Sequence, residues 1–216
     1  MTQVRAVIFD LDGVLVTTDE QHYQAWKAIA DGQGILFNRE INHQLRGVSR
    51  MESLEVILQA ANRTYTEDEK LRLADHKNQI YIQSLPSLGA KDLLPGVEGT
   101  LQRLKSMGIR TAIGSSSKNA GKILDQVCMN GKFDAVADGN MITHSKPHPE
   151  VFLKAAELLD LVPEQCVVVE DAAAGIEAAK RAGMLAVGIG AAADLPSADY
   201  AIVRLEQVCE IVAGNL

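Results

Sequence analysis

Short β-branched apolar runs, each breaking off in a polar cluster, constrain this chain more than any other feature. Val4-Arg5-Ala6-Val7-Ile8-Phe9 runs into Asp10-Leu11-Asp12-Gly13, and comparable runs recur at 110–114, 135–137, 166–169 and 185–189. Runs of this kind fit strands buried on both faces of a parallel sheet. Helix-like segments separate most of them, and the alternation predicts a doubly wound α/β core. The first two strands break the rhythm, because about 100 residues part Phe9 from Arg110, far more than one crossover needs. Inside that gap Ala25, Ile29 and Ala30, then Leu54, Ile57, Leu58 and Ala61, then Leu71, Leu73, Ala74 and Ile80 recur at helical spacing. The expectation is a core domain of residues 1–15 and 87–216, with an α-helical cap of residues 16–86 inserted after strand one. The chain would leave the cap at 84–87, before a core helix that Pro95 starts at about its first turn.

Composition narrows the class. With 216 residues, 47% hydrophobic and 23% charged, the chain can bury a real core, and disordered, collagen-like and coiled-coil readings fall away. No apolar run approaches the roughly 20 residues of a membrane span. Met1-Thr2-Gln3 leads straight into strand-like sequence, so no signal peptide is expected. Cys128, Cys166 and Cys209 are odd in number and match no zinc spacing, as reduced thiols in a cytoplasmic protein would be. The 21 basic against 28 acidic residues, net −7, disfavour nucleic acid as a partner. No long exposed apolar stripe points to a protein partner, so a monomer is the default.

Ligands of open α/β sheets bind beyond the carboxyl ends of the strands, and there the polar residues cluster. Asp10 and Asp12 emerge from strand one, and Glu170 and Asp171 from the fourth run. Acidic residues at strand ends also serve as caps and turn formers. Four carboxylates in one crevice, however, repel one another, and an all-oxygen set with waters suits Mg²⁺ better than zinc. Ser115-Ser116-Ser117-Lys118-Asn119 offers hydroxyls, a lysine, an amide and the first N–H groups of a helix to a phosphate, while Ser117 or Asn119 also reads as a helix N-cap. Lys146, between Ser145 and Pro147, cannot lie mid-helix, and its charge would balance phosphate and carboxylate together.

In this order, Phe9-Asp10-Leu11-Asp12-Gly13, the Ser115 segment, Ser145-Lys146-Pro147 and Val169-Glu170-Asp171 resemble the haloacid dehalogenase superfamily of phosphotransferases over nearly the whole chain. The resemblance implies Asp10 as a nucleophile that becomes an aspartyl phosphate. Asp12 would be the general acid/base and would lend a backbone carbonyl to Mg²⁺. Ser115 and Lys146 would hold the transferring phosphoryl oxygens, and Glu170 and Asp171 would complete the metal site. Asp12 must be protonated when it assists a leaving oxygen, so burial beneath the cap should raise its pKa.

The cap decides what accepts the phosphoryl group. Thr18, His22 and Trp26, at i, i+4 and i+8, share one helical face, though Trp26 alone reads equally as core packing and His22 as a surface residue. Arg46-Gly47-Val48-Ser49-Arg50 leads into a helix whose N–H groups, with Arg50, can clasp a second phosphate. Lys77-Asn78 adds a donor, or is simply solvated. Together with Ala25-Trp26-Lys27, Ser53-Leu54 and the 115–119 segment, these residues resemble the β-phosphoglucomutase family. That implies interconversion of β-D-glucose 1-phosphate and glucose 6-phosphate through β-glucose 1,6-bisphosphate, with Arg50, Ser117, Lys118 and Asn119 as a distal phosphate clamp. Thr18 and His22 would align Asp12, and Trp26, Gly47, Val48, Ser49, Ser53, Lys77 and Ser116 would complete the sugar-phosphate site. Thr17 stands where the family has Asp, which should touch cap hinging and remove no catalytic group. A phosphatase of the same superfamily, acting on a sugar phosphate or phosphoglycolate, is the alternative. Gly188-Ile189-Gly190-Ala191-Ala192-Ala193 matches a dinucleotide loop only loosely, with no βαβ unit behind it. His144 and His148 carry no metal expectation, because Pro147 interrupts any helical face between them.

Overall fold

The computed structural model describes residues 3–45 and 48–214. Six parallel strands form one sheet in the order β3-β2-β1-β4-β5-β6. They are β1 (Ala6–Phe9), β2 (Arg110–Gly114), β3 (Ala135–Ala137), β4 (Cys166–Glu170), β5 (Leu185–Ile189) and β6 (Tyr200–Ile202). Successive β1 residues are buried on opposite faces: Val7 and Phe9 join one apolar cluster, Ala6 and Ile8 the other. In β4 the same split puts Val167 and Val169 on one face and Cys166 and Val168 on the other, which is why both runs are apolar without alternation. Helices α5 (Val97–Ser106), α6 (Ala120–Gln126) and α9 (Val208–Ala213) pack on the Phe9 side. Helices α7 (Glu150–Leu158) and α8 (Ala173–Arg181) cover the Ile8 side. The edge strand β6 escapes the sequence pattern, since two of its three residues are exposed.

The segment between β1 and α5 is helical, as its periodicity predicts: α1 (Asp19–Gly32), α2 (Arg39–His43), α3 (Arg50–Leu58) and α4 (Glu67–Ser84). Ser49 and Glu52 close a reciprocal capping box on α3, and Thr66 and Glu69 do the same on α4. Trp26, Ile29, Leu54, Ile57 and Ala74 form a separate apolar core there, each large side chain contributing about 1.5–3 kcal/mol by burial. A short 3₁₀ turn at Leu85–Ser87 ends this region. Pro95 lies just before the α5 N-cap, Gly96, rather than inside the first turn. The two connecting passages are laced together: Leu94 N donates to Leu15 O, and Val16 pairs with Leu93. The exposed Thr17 adds its amide to this lacing through Asp92 O.

Candidate active site

Strand order reverses around β1, and the crevice there is where an open sheet receives its ligand. Phe9 pairs in register with Ile113 of β2 and Val169 of β4, so Asp10, one residue on, leaves the sheet level with Gly114 and Glu170. Asp10 N continues the ladder to Val169 O at 2.9 Å. Its carboxylate accepts from Lys146 Nζ at 2.5 Å, and Lys146 donates also to Glu170 Oε2 at 2.8 Å. Lys146 is 1% exposed and lies 4.6 Å from the centre of the Phe152 ring. Burial disfavours its charge, but the two carboxylates win and hold it protonated. Burial and the nearby Asp10 push Glu170 upward, with the Lys146 ion pair opposing them.

Oxygens of Asp10, Glu170 and Asp171 lie within 4.8 Å of one another. Gly13, at φ +87°, makes room for this cluster, since a Cβ there would sit 2.1 Å from Asp171 Oδ2. An all-oxygen donor set next to a cleft fits a hard cation of the Mg²⁺ class. The Asp12 side chain is outside this trio and bonds to Thr18 of the cap instead.

Asp12 Oδ1 accepts from Thr18 N at 2.7 Å and Oδ2 from Thr18 Oγ1 at 2.5 Å. Loss of hydration raises its pKa to about 6, with the Thr18 bonds pulling the other way. Tyr81 Oη donates to Thr18 Oγ1 at 3.3 Å, and its ring packs on His22 with centroids 4.2 Å apart. Lys77 Nζ lies 2.8 Å from His22 Nδ1. When Lys77 is an ammonium it has no lone pair, so Nδ1 accepts, and in that state the ring proton sits on Nε2, which faces Asp12 Oδ2 at 3.9 Å. Burial, then the Lys77 and Arg50 cations, hold the His22 pKa well below its usual value. Lys77 is 3% exposed, between the Trp26 and Tyr81 rings, and burial brings its pKa down to about 7.

A third group bridges the cap helices and the core. Asn78 Oδ1 accepts from Arg50 at 2.8 Å and from Asn119 Nδ2 at 3.0 Å. Asn119 is the N-cap of α6, yet its side-chain amide goes to Asn78 instead of capping the helix. Ser115 Oγ accepts from Ser117 N, and Ser117 Oγ from Asn119 N, both at 3.2 Å, so these hydroxyls order the loop. The Ser116 hydroxyl is buried without a partner.

All three groups line one cleft of about 810 Å³ together with Trp26, Val48, Ser49, Ser53 and the exposed Lys118. Trp26 satisfies both of its readings, being 2% exposed in the cap core and still part of the cleft wall. The solvated alternative for Lys77 fails, because the side chain is buried. Gly47, like Arg46, lies outside the described residues. Tyr81 is the site residue that motif reading missed. Ala74, Lys77 and Tyr81 are the buried residues of α4, and their i, i+3, i+7 spacing marks one face.

A strand-end nucleophile candidate, a buried lysine and a carboxylate trio on a doubly wound sheet define a phosphotransferase class. The model of the haloacid dehalogenase-like hydrolases matches residues 4–183, and the chain belongs to that family of enzymes. Within it, the chain is 44% identical over 201 residues to the β-phosphoglucomutase of Bacillus subtilis, covering 92% of this chain and 89% of that one. The crystal structure of β-phosphoglucomutase from Clostridium difficile superposes with a TM-score of 0.92 at 39% identity, over 99% of this chain and 97% of that one. A phosphorylated carbohydrates phosphatase of Thermotoga maritima is 32% identical over 184 residues, 84% of this chain and 82% of that one.

Proposed function

We propose that this enzyme is a β-phosphoglucomutase, interconverting β-D-glucose 1-phosphate and glucose 6-phosphate. The observation that carries the reading is that one cleft is lined at once by the Asp10 cluster and by Arg50 with Asn119. A mutase must hold two phosphates of a bisphosphate, whereas a phosphatase needs one phosphate site. Residues 16–86 act as the cap domain on a core of 1–15 and 87–216.

Asp10 attacks the phosphoryl group through a carboxylate oxygen and becomes an aspartyl phosphate. Lys146 and the Ser115 hydroxyl hold the oxygens of the group in transfer, where charge neutralisation and alignment matter most. Asp10, Glu170, Asp171 and the Asp12 carbonyl would hold Mg²⁺, which supplies positive charge to the phosphoryl oxygens. Asp12, with its pKa near 6, gives its proton to one sugar oxygen and takes one from the other as the bisphosphate turns over. Thr18 fixes the Asp12 rotamer, while His22, oriented by Lys77, presents Nε2–H to a sugar oxygen beside Asp12. Arg50, Ser116, Ser117, Lys118 and Asn119 clamp the phosphate that is not transferred, with Gly47, Val48, Ser49, Ser53 and Trp26 around the sugar. The Ser116 hydroxyl, buried with no hydrogen-bond partner beside the cleft, suits a phosphate oxygen. Closure over the sugar keeps water from the aspartyl phosphate. The enzyme would work as a cytoplasmic monomer on a free phosphosugar. Among the described residues no helix is long and apolar enough to cross a membrane.

The test is ³¹P NMR of β-glucose 1-phosphate with enzyme, Mg²⁺ and a trace of β-glucose 1,6-bisphosphate. Glucose 6-phosphate should accumulate. Inorganic phosphate in its place would make this chain a phosphatase, as the Thermotoga relative is. In Arg50→Ala, mutase turnover should fall by roughly 10²–10³, while hydrolysis of a small phosphomonoester persists. Equal loss of both would remove Arg50 from the distal clamp.

A further inference from the structure

The passage that delivers Lys146 to the core site brings a second set of donors together on the cleft wall. Pro147 does break any helix between His144 and His148, but a helix is not required. His148 N donates to Ser145 O at 2.9 Å, closing a turn that sets the two imidazole centroids 4.6 Å apart. Glu150, the first residue of α7, lies against both rings. His144 Nδ1 is 3.1 Å and His148 Nδ1 3.8 Å from the same oxygen, Glu150 Oε2. One ligand atom from each of the three lies within 4.8 Å of the others.

These separations have a chemical meaning. Zinc bonds of about 2.0–2.2 Å to nitrogen and oxygen place tetrahedral ligand atoms roughly 3.3–3.5 Å apart. The two measured edges bracket that range. The carboxylate is held in place by backbone donors, Thr143 N at 2.9 Å on Oε1 and His144 N at 2.8 Å on Oε2. Both imidazoles are exposed and already turned toward the Glu150 carboxylate, His144 Nδ1 through a hydrogen bond that an ion would replace, and their exposure leaves room for water as a further ligand. We propose that His144, His148 and Glu150 form a second metal site, distinct from the carboxylate trio, that takes a borderline transition metal such as Zn²⁺. Two imidazole nitrogens and one carboxylate oxygen select against Mg²⁺, which prefers an all-oxygen shell. A bound ion ties the two flanks of Lys146-Pro147 to the start of α7, pinning the passage that carries Lys146.

Calorimetric titration of Zn²⁺ into tag-free protein, with Mg²⁺ in excess to hold the acidic site, tests the assignment. One zinc site should appear, and His144→Ala and His148→Ala should each weaken it about tenfold or more. Co²⁺ in place of Zn²⁺ should show visible d–d absorption that disappears in the same variants. Both side chains are exposed, so circular dichroism and Tm should be unchanged and the readout clean. No zinc binding by the parent, equal binding by either variant, or displacement of zinc by raised Mg²⁺ would each overturn the site.

Discussion

The two walls of the cleft hold their charges by opposite means. On the core wall Lys146 is paired with Asp10 and Glu170 before any ligand arrives, and all three are buried. Where the cap meets Asp12 the groups lean on one another through mostly uncharged or weakly charged contacts: a neutral His22 and a Lys77 with its pKa near 7 on the cap, and the core's Asp12, turned toward them, with its pKa near 6. The Lys146 side is thus a fixed electrostatic cradle, and the side facing the cap holds two groups, Asp12 and Lys77, poised to change protonation near neutrality, with a neutral His22 between them. Division of labour follows: Lys146 and its carboxylates neutralise a phosphoryl group, and Asp12, set by the cap residues Thr18, His22 and Lys77, moves protons on the sugar.

The largest break in that contrast should come from Lys146→Met. Removing the only cation between two buried carboxylates leaves uncompensated charge, and about 3–5 kcal/mol of stability should be lost. Urea unfolding at neutral pH measures it, and phosphoryl transfer should fall by at least about 10². Loss of activity with unchanged stability would mean that the cradle is not set in advance.

A smaller effect, of different form, is expected from Lys77→Met on the cap wall. The folded-state pKa near 7 lies below the usual 10.5. Between those values the unfolded chain holds a proton that the folded chain has released, so this group makes stability rise with pH through that window. The unfolding free energy of wild type minus variant should therefore climb from about pH 7 to about pH 10 and level off beyond. Turnover should fall by about tenfold to a hundredfold, because His22 loses the donor that fixes its tautomer. A flat difference across that window would mean that Lys77 keeps its proton in the fold.

What the sequence disclosed divides along the same two walls. Asp10, Glu170 and Asp171 were legible because β1 and β4 run in register and bring their carboxyl ends to a common level, and Lys146 because Ser145 and Pro147 place it in a passage outside any helix. The helical insert was legible from periodicity, and the α3 start from Ser49 and Glu52. The cap wiring was not. Lys77 reaching His22 spans 55 positions in sequence, and Asn78 reaching Asn119 spans 41. Neither follows from local spacing, because helix packing alone sets it. The meeting of His144, His148 and Glu150 was not legible for a related reason: they come together through a turn, where a helical template has nothing to say. β6 was missed because an exposed edge strand carries no apolar run.

The finest distinction lies within the Asp12 contacts. Thr18 gives that carboxylate two hydrogen bonds, and both favour its ionised form against the burial that raises its pKa to about 6. Thr18→Val keeps the amide donor and deletes the hydroxyl, so the Asp12 pKa must move up. A lost bond worth about 1 kcal/mol corresponds to roughly 0.7 of a pH unit. The limb of the kcat/KM profile that reports Asp12 should shift to higher pH by about that much, and Thr18→Ser should restore it. Since the folded-state pKa already exceeds the ordinary carboxylate value, the protonated form is the one folding favours. Stability contributed by this proton is full below about pH 4 and lost as pH rises through about 6, and in the valine variant that loss should come later. A limb that stays in place would assign the Asp12 ionisation to burial alone, leaving Thr18 to fix only where the carboxylate points.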